Sequence, residues 1–485
     1  MAAASIVRSE RQSQVDNFIS TQTSFHPLTR IMALNTALCF AQRVPNELLS
    51  YIFLYTSRQT NAVHLSHVCS RWRNVALSTG SLWTDITITF PTSIGQLSYA
   101  LTCLRRSKVY PLNLYLDFRD PAWDWDEHTH DFGSEDMEAV LNFLLPHANR
   151  WKCVTLLTDT WAPMWTFLKE TQHVEIPTLR SVKLSRCNAY FVGKGETFEP
   201  AGLREPLQLF GGQEIGMLRE VGLVGVHVDW MGSSGLRNLF DLELKYHASD
   251  VMPIFQEFRT ILEGCPHLKY LSIVGWGPRF DESAVLNSAA TFIIRLSNLI
   301  RFSLGFVDME YAIRLLEHMA LPVLTELALE DVSRSLSLCD AESLPDAKIL
   351  LDWFTGDHTA ILCSKLLTLE LHGIRCFDRD VLRKFLCRFP AVETMHLSDA
   401  DVVLLEALKP DALRPCPTLQ ELHCRGVDFP KLSELVGARA SSLNVSPLKK
   451  VHVDLFGDEV VGEQESLTIR RANVELSLNT ILLSD

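Results

Sequence analysis

The feature that most constrains this chain is a short apolar frame, Leu-x-x-Leu-x-Leu, that returns again and again after residue 178. Its copies run Leu179–Leu184, Leu218–Leu223, Leu239–Leu244, Leu268–Ile273, Leu299–Leu304, Leu324–Leu329, Leu366–Leu371, Val392–Leu397, Leu419–Cys424 and Leu448–Val453. A weaker copy sits at Trp151–Leu156. The last three positions of the frame alternate apolar, polar, apolar, which is the period of a strand with one buried face. The pieces between copies carry a helical period: Ile254, Phe255, Phe258, Ile261 and Leu262 share a face, as do Val381, Leu382, Phe385 and Leu386. One strand plus one helix cannot bury its apolar face alone, so the units must stack. The expected fold class is therefore α/β, a parallel concave sheet with helices on the convex side, growing in one dimension. That growth accommodates 485 residues, too many for one compact core.

Most intervals between copies fall between 21 and 31 residues, and the repeats resemble leucine-rich repeats of the irregular kind. The Asn expected shortly after the strand is mostly absent, although Cys187 stands in such a place. The two longer intervals hold insertions, at Val192–Pro206 and Leu336–Asp346. Residues 84–457 form the expected solenoid, and 84–150 are its divergent first units. There Ile86, Ile88 and Phe90 alternate, as do Leu112, Leu114, Leu116 and Phe118, with helices expected near Ile94–Arg106 and Glu135–His147. Residues 458–485 are expected to be a C-terminal cap or tail, with alternating apolar residues from Leu467 to Leu483.

Alternation assigns the faces. Leu271 and Ile273 point inward, leaving Tyr270, Ser272 and Val274 on the concave side. Transferring that register gives a stripe of Lys183, Asp241, Glu243, Lys245, Arg301, Ser303, Glu326, Glu330, Glu370, His372, His396, Glu421, His423, Arg425, Lys450 and His452. Any one of these is also what a solvated outer sheet position looks like. As a surface they suit recognition of a partner, and Tyr270, Arg301, Glu326, Glu370, His372, His396, His423 and Arg425 are the candidate target-contacting residues.

The N-terminal part follows other rules. Residues 1–26 are polar without a period and read as a mobile tail. Residues 27–83 are expected to form a helical module with a preceding helix. Pro45 suits a helix start, and Leu48, Leu49, Ile52 and Phe53 fall on one face of the segment after it. Asn61 is placed to cap a second helix, in which Leu65, Val68, Cys69, Trp72, Val75 and Ala76 make a wide stripe. Leu82-Trp83 follows as a bulky apolar pair. So small a set of apolar pieces cannot make an independent core, so some of this surface packs on the next domain as a cap or on another protein.

The segment VPNELLSYIF…LSHVCSRWRNVALSTGSLW resembles an F-box, in a form close to that common in fungal F-box proteins, with Val44 where the family often has Leu. The resemblance implies docking onto the Skp-type adaptor of a cullin–RING ubiquitin ligase. Carried over by position, Pro45, Leu48, Leu49, Ile52, Phe53, Val68, Cys69, Trp72, Leu82 and Trp83 would line or support that contact. The repeats would then hold a target protein, and the chain would supply proximity rather than a bond-making residue. An F-box scaffold that assembles proteins outside a ligase stays open as the alternative.

Composition narrows the partners. The net charge of −13 disfavours a nucleic-acid backbone or a polybasic membrane contact. The twelve cysteines are scattered, with no Cys-x-x-Cys, as in a reducing compartment; the expected location is cytoplasmic or nuclear. No secretory h-region precedes the module. No catalytic motif, cofactor cradle or metal-ligand spacing appears, so no cofactor is expected. The tempting run Asp124-Trp-Asp-Glu-His-Thr-His-Asp131 is expected to repel internally and stay solvated rather than hold a metal.

Overall fold

The computed structural model describes residues 43–56, 62–186, 195–280, 293–335, 346–356, 364–456 and 471–481, with the single residues 359 and 469. The expectations for the tail 1–26, the cap at Asn61, the Asn-like place of Cys187 and most of the insertion Leu336–Asp346 lie outside them. The chain divides into two compact units, one running to Thr84 and including Arg106–Lys108, the other comprising the remainder.

The first unit contains α1 (Asn46–Thr56), α2 (Ala62–Ser66) and α3 (Ser70–Ser78), then a turn of 3-10 helix over Gly80–Trp83. Pro45 lies one residue before α1, where its carbonyl accepts from Leu49 N–H at 2.9 Å. The single second helix expected from sequence is broken in two. Cys69 is extended and caps α3, its Sγ accepting from Trp72 N–H at 3.4 Å, so the apolar stripe through Val68 and Cys69 is interrupted and both residues are exposed. The helical period was present, but a side chain able to cap competed with continuation.

The second unit is built on one parallel sheet of fourteen strands, in the order in which they occur along the chain. They are β1 (Asp85–Thr89), β2 (Leu112–Asp117), β3 (Trp151–Thr158), β4 (Ser181–Arg186), β5 (Glu220–Val224), β6 (Asp241–Lys245) and β7 (Tyr270–Val274). Then come β8 (Arg301–Phe306), β9 (Glu326–Asp331), β10 (Thr368–His372), β11 (Thr394–Ser398), β12 (Glu421–Arg425), β13 (Lys450–Phe456) and β14 (Glu475–Ile481). Crossovers between parallel strands share one hand, so a sheet that only ever adds the next strand on the same side places every connection on one face. By that rule the other face receives no connecting helix. A doubly wound sheet, whose order reverses, would cover both.

Burial follows that logic. The frame's fourth and sixth residues, such as Leu271 and Ile273, Leu369 and Leu371, or Met395 and Leu397, are buried. The frame's first residue is buried too, two positions before the strand. Its N–H closes a turn onto the carbonyl three residues back, as in Leu218 to Ile215 (3.0 Å), Leu268 to Cys265 (3.1 Å) and Leu419 to Cys416 (3.2 Å). The helices include α4 (Ile94–Arg106), α5 (Ser134–Leu144), α6 (Trp161–Glu170), α7 (Phe255–Glu263), α8 (Met309–Glu317), α9 (Lys348–Thr355), α10 (Arg379–Cys387), α11 (Val402–Ala407) and α12 (Phe429–Ala440). From α8 to α12 each packs against the next. Ile254 stands at the N-cap position of α7, its N–H donating to Glu257 Oε2 at 3.1 Å, rather than joining the buried face, and is exposed, while Phe258, Ile261 and Leu262 are buried.

One expectation at the sheet needs correcting. Val274 does not face outward in the open: it is 4% exposed, packed with Val332 beneath Tyr246, Trp276 and Val307. Gly305, its neighbour in register, makes room for this, because a Cβ there would come within 2.7 Å of Val274 and 2.9 Å of Val332. Within the segment 458–485, expected as a C-terminal cap or tail, Glu475–Ile481 pairs in parallel register with Lys450–Phe456 as the last strand of the sheet.

Candidate functional site

Strict register turns the open face into columns. In one of them Glu370, His396, His423 and His452 follow one another across β10 to β13. The imidazoles stack, His396 on His423 at 4.3 Å between centroids and His423 on His452 at 4.4 Å, tilted by only 10° and 18°. Parallel in-register strands produce this, since like positions sit one strand spacing apart. Burial holds His396 and His423 below the ordinary histidine range, with neighbouring positive groups adding to it; for His396 the Glu370 carboxylate acts the other way.

Beside the stack, Arg301 bridges two carboxylates, Glu326 at 3.5 Å and Glu370 at 2.9 Å, and His372 Nε2 lies 3.5 Å from Glu370. Burial would raise the Glu370 carboxyl, but the His372 hydrogen bond and the Arg301 charge outweigh it and hold the group below its usual value. Lys450 pairs with Glu421 at 2.9 Å, and Lys245 with Glu243. The eight candidate target residues thus fall on one face. Six of them, Arg301, Glu326, Glu370, His372, His396 and His423, form a connected polar patch. Tyr270, 43% exposed, is the register neighbour of Arg301, and exposed Arg425 lies opposite Ser398 and Asp454.

In the acidic loop before α5, Asp124, Asp126, His128 and Asp131 are exposed as expected, but Glu127 and His130 are not. Glu127 is paired with Arg186, whose side chain is fully buried, and accepts from Trp161 N–H at 3.1 Å. His130 Nε2 bonds Asp159 Oδ2 at 3.0 Å, and its Nδ1 accepts from Phe132 N–H at 2.9 Å. These two groups therefore pin the loop onto the end of β4, the start of α6 and the turn between β3 and α6. Among the described residues no cluster of three potential metal ligands occurs, and no helix is long and apolar enough to cross a membrane.

In the helical unit, α1 carries apolar residues on two faces. Leu49 and Phe53 are buried, with the Phe53 ring 4.8 Å from that of Trp72. Leu48, Tyr51, Ile52 and Tyr55 recur at helical spacing on the opposite side and stay exposed, by 55, 70, 46 and 82%. Val68, at the break between α2 and α3, is 57% exposed. Arg71 fastens α3 to the start of α1, donating to Asn46 Oδ1 at 2.9 and 3.1 Å and to the Val44 carbonyl. Trp83 is buried, its Nε1 donating to Ala76 O at 2.9 Å with the Arg106 guanidinium 4.4 Å from the ring. An exposed strip of two tyrosines, a leucine and an isoleucine costs solubility unless something covers it.

That strip coincides with a known pattern. The F-box-like family model matches residues 41–89. This segment carries an F-box-like domain. No curated protein matches the chain. F-box domains bind Skp-type adaptors, and the geometry sorts the ten residues named for that contact. Pro45, Leu48, Ile52, Val68 and Cys69 of the F-box-like domain lie at the surface, Trp72 is half-buried, and Leu49, Phe53, Leu82 and Trp83 form its interior. Tyr51 and Tyr55 were missed. The signal was present as the i, i+3, i+4, i+7 spacing from Leu48, which continues through both tyrosines.

Proposed function

We propose that the chain is the substrate-recognition adaptor of a Skp–cullin–F-box ubiquitin ligase. The F-box-like domain docks a Skp-type adaptor by its exposed helical strip. The sheet unit, read as a leucine-rich-repeat solenoid with its polar face on the concave side, holds the target protein. The observation that carries this reading is the uncovered row Leu48, Tyr51, Ile52, Tyr55 inside the matched segment. A row of that composition, held on a helix whose other face is packed, suits a groove on a partner better than solvent. Strand-by-strand repetition along one parallel sheet supports the solenoid reading. The chain contributes proximity and orientation to a ubiquitin-loaded conjugating enzyme, with no bond-making residue of its own.

Reconstitution tests it. The chain mixed with a Skp-type adaptor and a cullin should elute as one ternary complex by size-exclusion chromatography with light scattering. An adaptor complex that leaves the cullin free would instead make the chain a scaffold outside a ligase.

A further inference from the structure

A cavity of about 530 Å³ opens where β1, β2 and β3 end, with Asp117, Arg119, Asp120, Trp123, Trp125 and Asp159 in its wall. Three carboxylates face one guanidinium there. That guanidinium is already engaged, because Arg119 grips Asp117 with two bonds of 2.7 and 2.6 Å. Among the described residues, the hydrogen-bond donors to the other two carboxylates are neutral. Asp159 accepts from Asp120 N–H at 2.6 Å and from His130 Nε2 at 3.0 Å, and the Phe132 N–H bond to His130 Nδ1 makes that imidazole the neutral tautomer with its proton on Nε2. Asp120 Oδ1 accepts from Ala122 N–H at 2.8 Å. The wall thus keeps a net negative charge.

Aromatic surface stands beside that charge. The Trp123 and Trp125 rings lie 5.4 Å apart, inclined at 31°. Trp123 is fixed by its Nε1 bond to Asp126 O at 2.9 Å, whereas Trp125 is 57% exposed. Indoles next to carboxylates in a concave site attract an alkylammonium or guanidinium: the ring faces the cation and its stem, and the carboxylate meets the charge. The cavity also continues the open polar face, since Thr89 and Asp117 in its wall are register partners at the ends of β1 and β2.

We propose that this cavity receives a lysine or arginine side chain from a basic segment of the target protein, seated against Trp123 and Trp125 with its charge on Asp120 and Asp159. The chain's net charge of −13 favours such a segment over an acidic one. The proposal rests on reading the sheet unit as the target-holding part, but its test needs no adaptor.

The test uses the full chain carrying 5-fluorotryptophan and the pentapeptide amides acetyl-Gly-Gly-X-Gly-Gly, with X lysine, arginine, norleucine or glutamate, followed by fluorine NMR. The lysine and arginine peptides should shift the Trp123 and Trp125 signals, with affinity falling as salt rises. Norleucine and glutamate peptides should leave them in place. Trp125 has φ 68°, in the left-handed region that glycine adopts freely, so Trp125→Gly should keep the melting temperature while weakening the lysine peptide about tenfold. Asp120→Asn should weaken it similarly. Equal shifts with norleucine, no shift with lysine, or unchanged lysine affinity in both variants would overturn the proposal. Adaptor binding by the same variants is expected to be unaffected, so failure here and failure of the ligase reading are separate results.

Discussion

The two units expose opposite kinds of surface. In the F-box-like domain one helix face is packed and the other offers Leu48, Tyr51, Ile52 and Tyr55 to solvent. In the sheet unit the apolar half of the strands is covered except at the last one, where Leu478 is exposed, and the open face carries ion pairs and stacked imidazoles. The first gains free energy by being covered and suits one constant partner. The second gains little from burial, and on the proposed reading it discriminates a target through charge and shape instead.

Adjacent residues on one strand sharpen the contrast most strongly. Leu397→Ala should cost about 2–5 kcal/mol by urea denaturation, because the leucine is 1% exposed in a packed layer, whereas His396→Ala, one residue away on the open face, should cost less than about 1 kcal/mol. Comparable losses at both positions would mean that the open face is part of a core.

Next in size is an effect of pH on the sheet unit. Burial pushes His227 and His247 down to about 4 from the ordinary 6.5, each donating Nε2–H to a carbonyl, of Arg204 at 2.8 Å and of Val226 at 2.9 Å. With the folded pKa below the unfolded one, the unfolded chain takes up more protons as pH falls. Their stabilisation is therefore full above 6.5 and is lost progressively towards 4, by about 2 kcal/mol for each histidine at pH 5. Urea midpoints measured from pH 7.5 to 5 should fall accordingly, and His247→Phe should flatten the profile. A profile without slope in that window would remove this account of the two buried rings.

Smallest should be the stability effect of the open-face ion pairs. Arg301→Met should change stability by less than about 1 kcal/mol, since the guanidinium is 40% exposed and screened by solvent. A loss of several kcal/mol by the same denaturation measurement would show that the polar patch holds the fold rather than awaiting a partner.

Much of the sheet unit was legible because the leucine frame repeats one local problem many times. Most strands place two buried residues at alternate positions, and an error at one copy is corrected by the others. Places where neighbours decide were not legible. The outward register position of Val274 does not reveal that Val332 and Trp276 cover it, and Cys69 gives no sequence sign that it will cap a helix rather than continue one. The acidic loop read as solvated because its partners, Arg186 and Asp159, lie 59 and 29 residues further along the chain from Glu127 and His130. In the F-box-like domain the motif residues were legible as a set, but their division into interior and surface needed the packing of Phe53 on Trp72.

The most direct test of the account is calorimetric titration of a Skp-type adaptor with the wild-type chain and with a Leu48→Asp/Ile52→Asp variant. Both substituted residues are exposed, so the variant should keep the wild-type melting temperature while its adaptor affinity falls by about 2–4 kcal/mol, roughly 30- to 1,000-fold. A well-folded wild-type chain that does not bind, or a variant that binds as tightly as wild type, would contradict it.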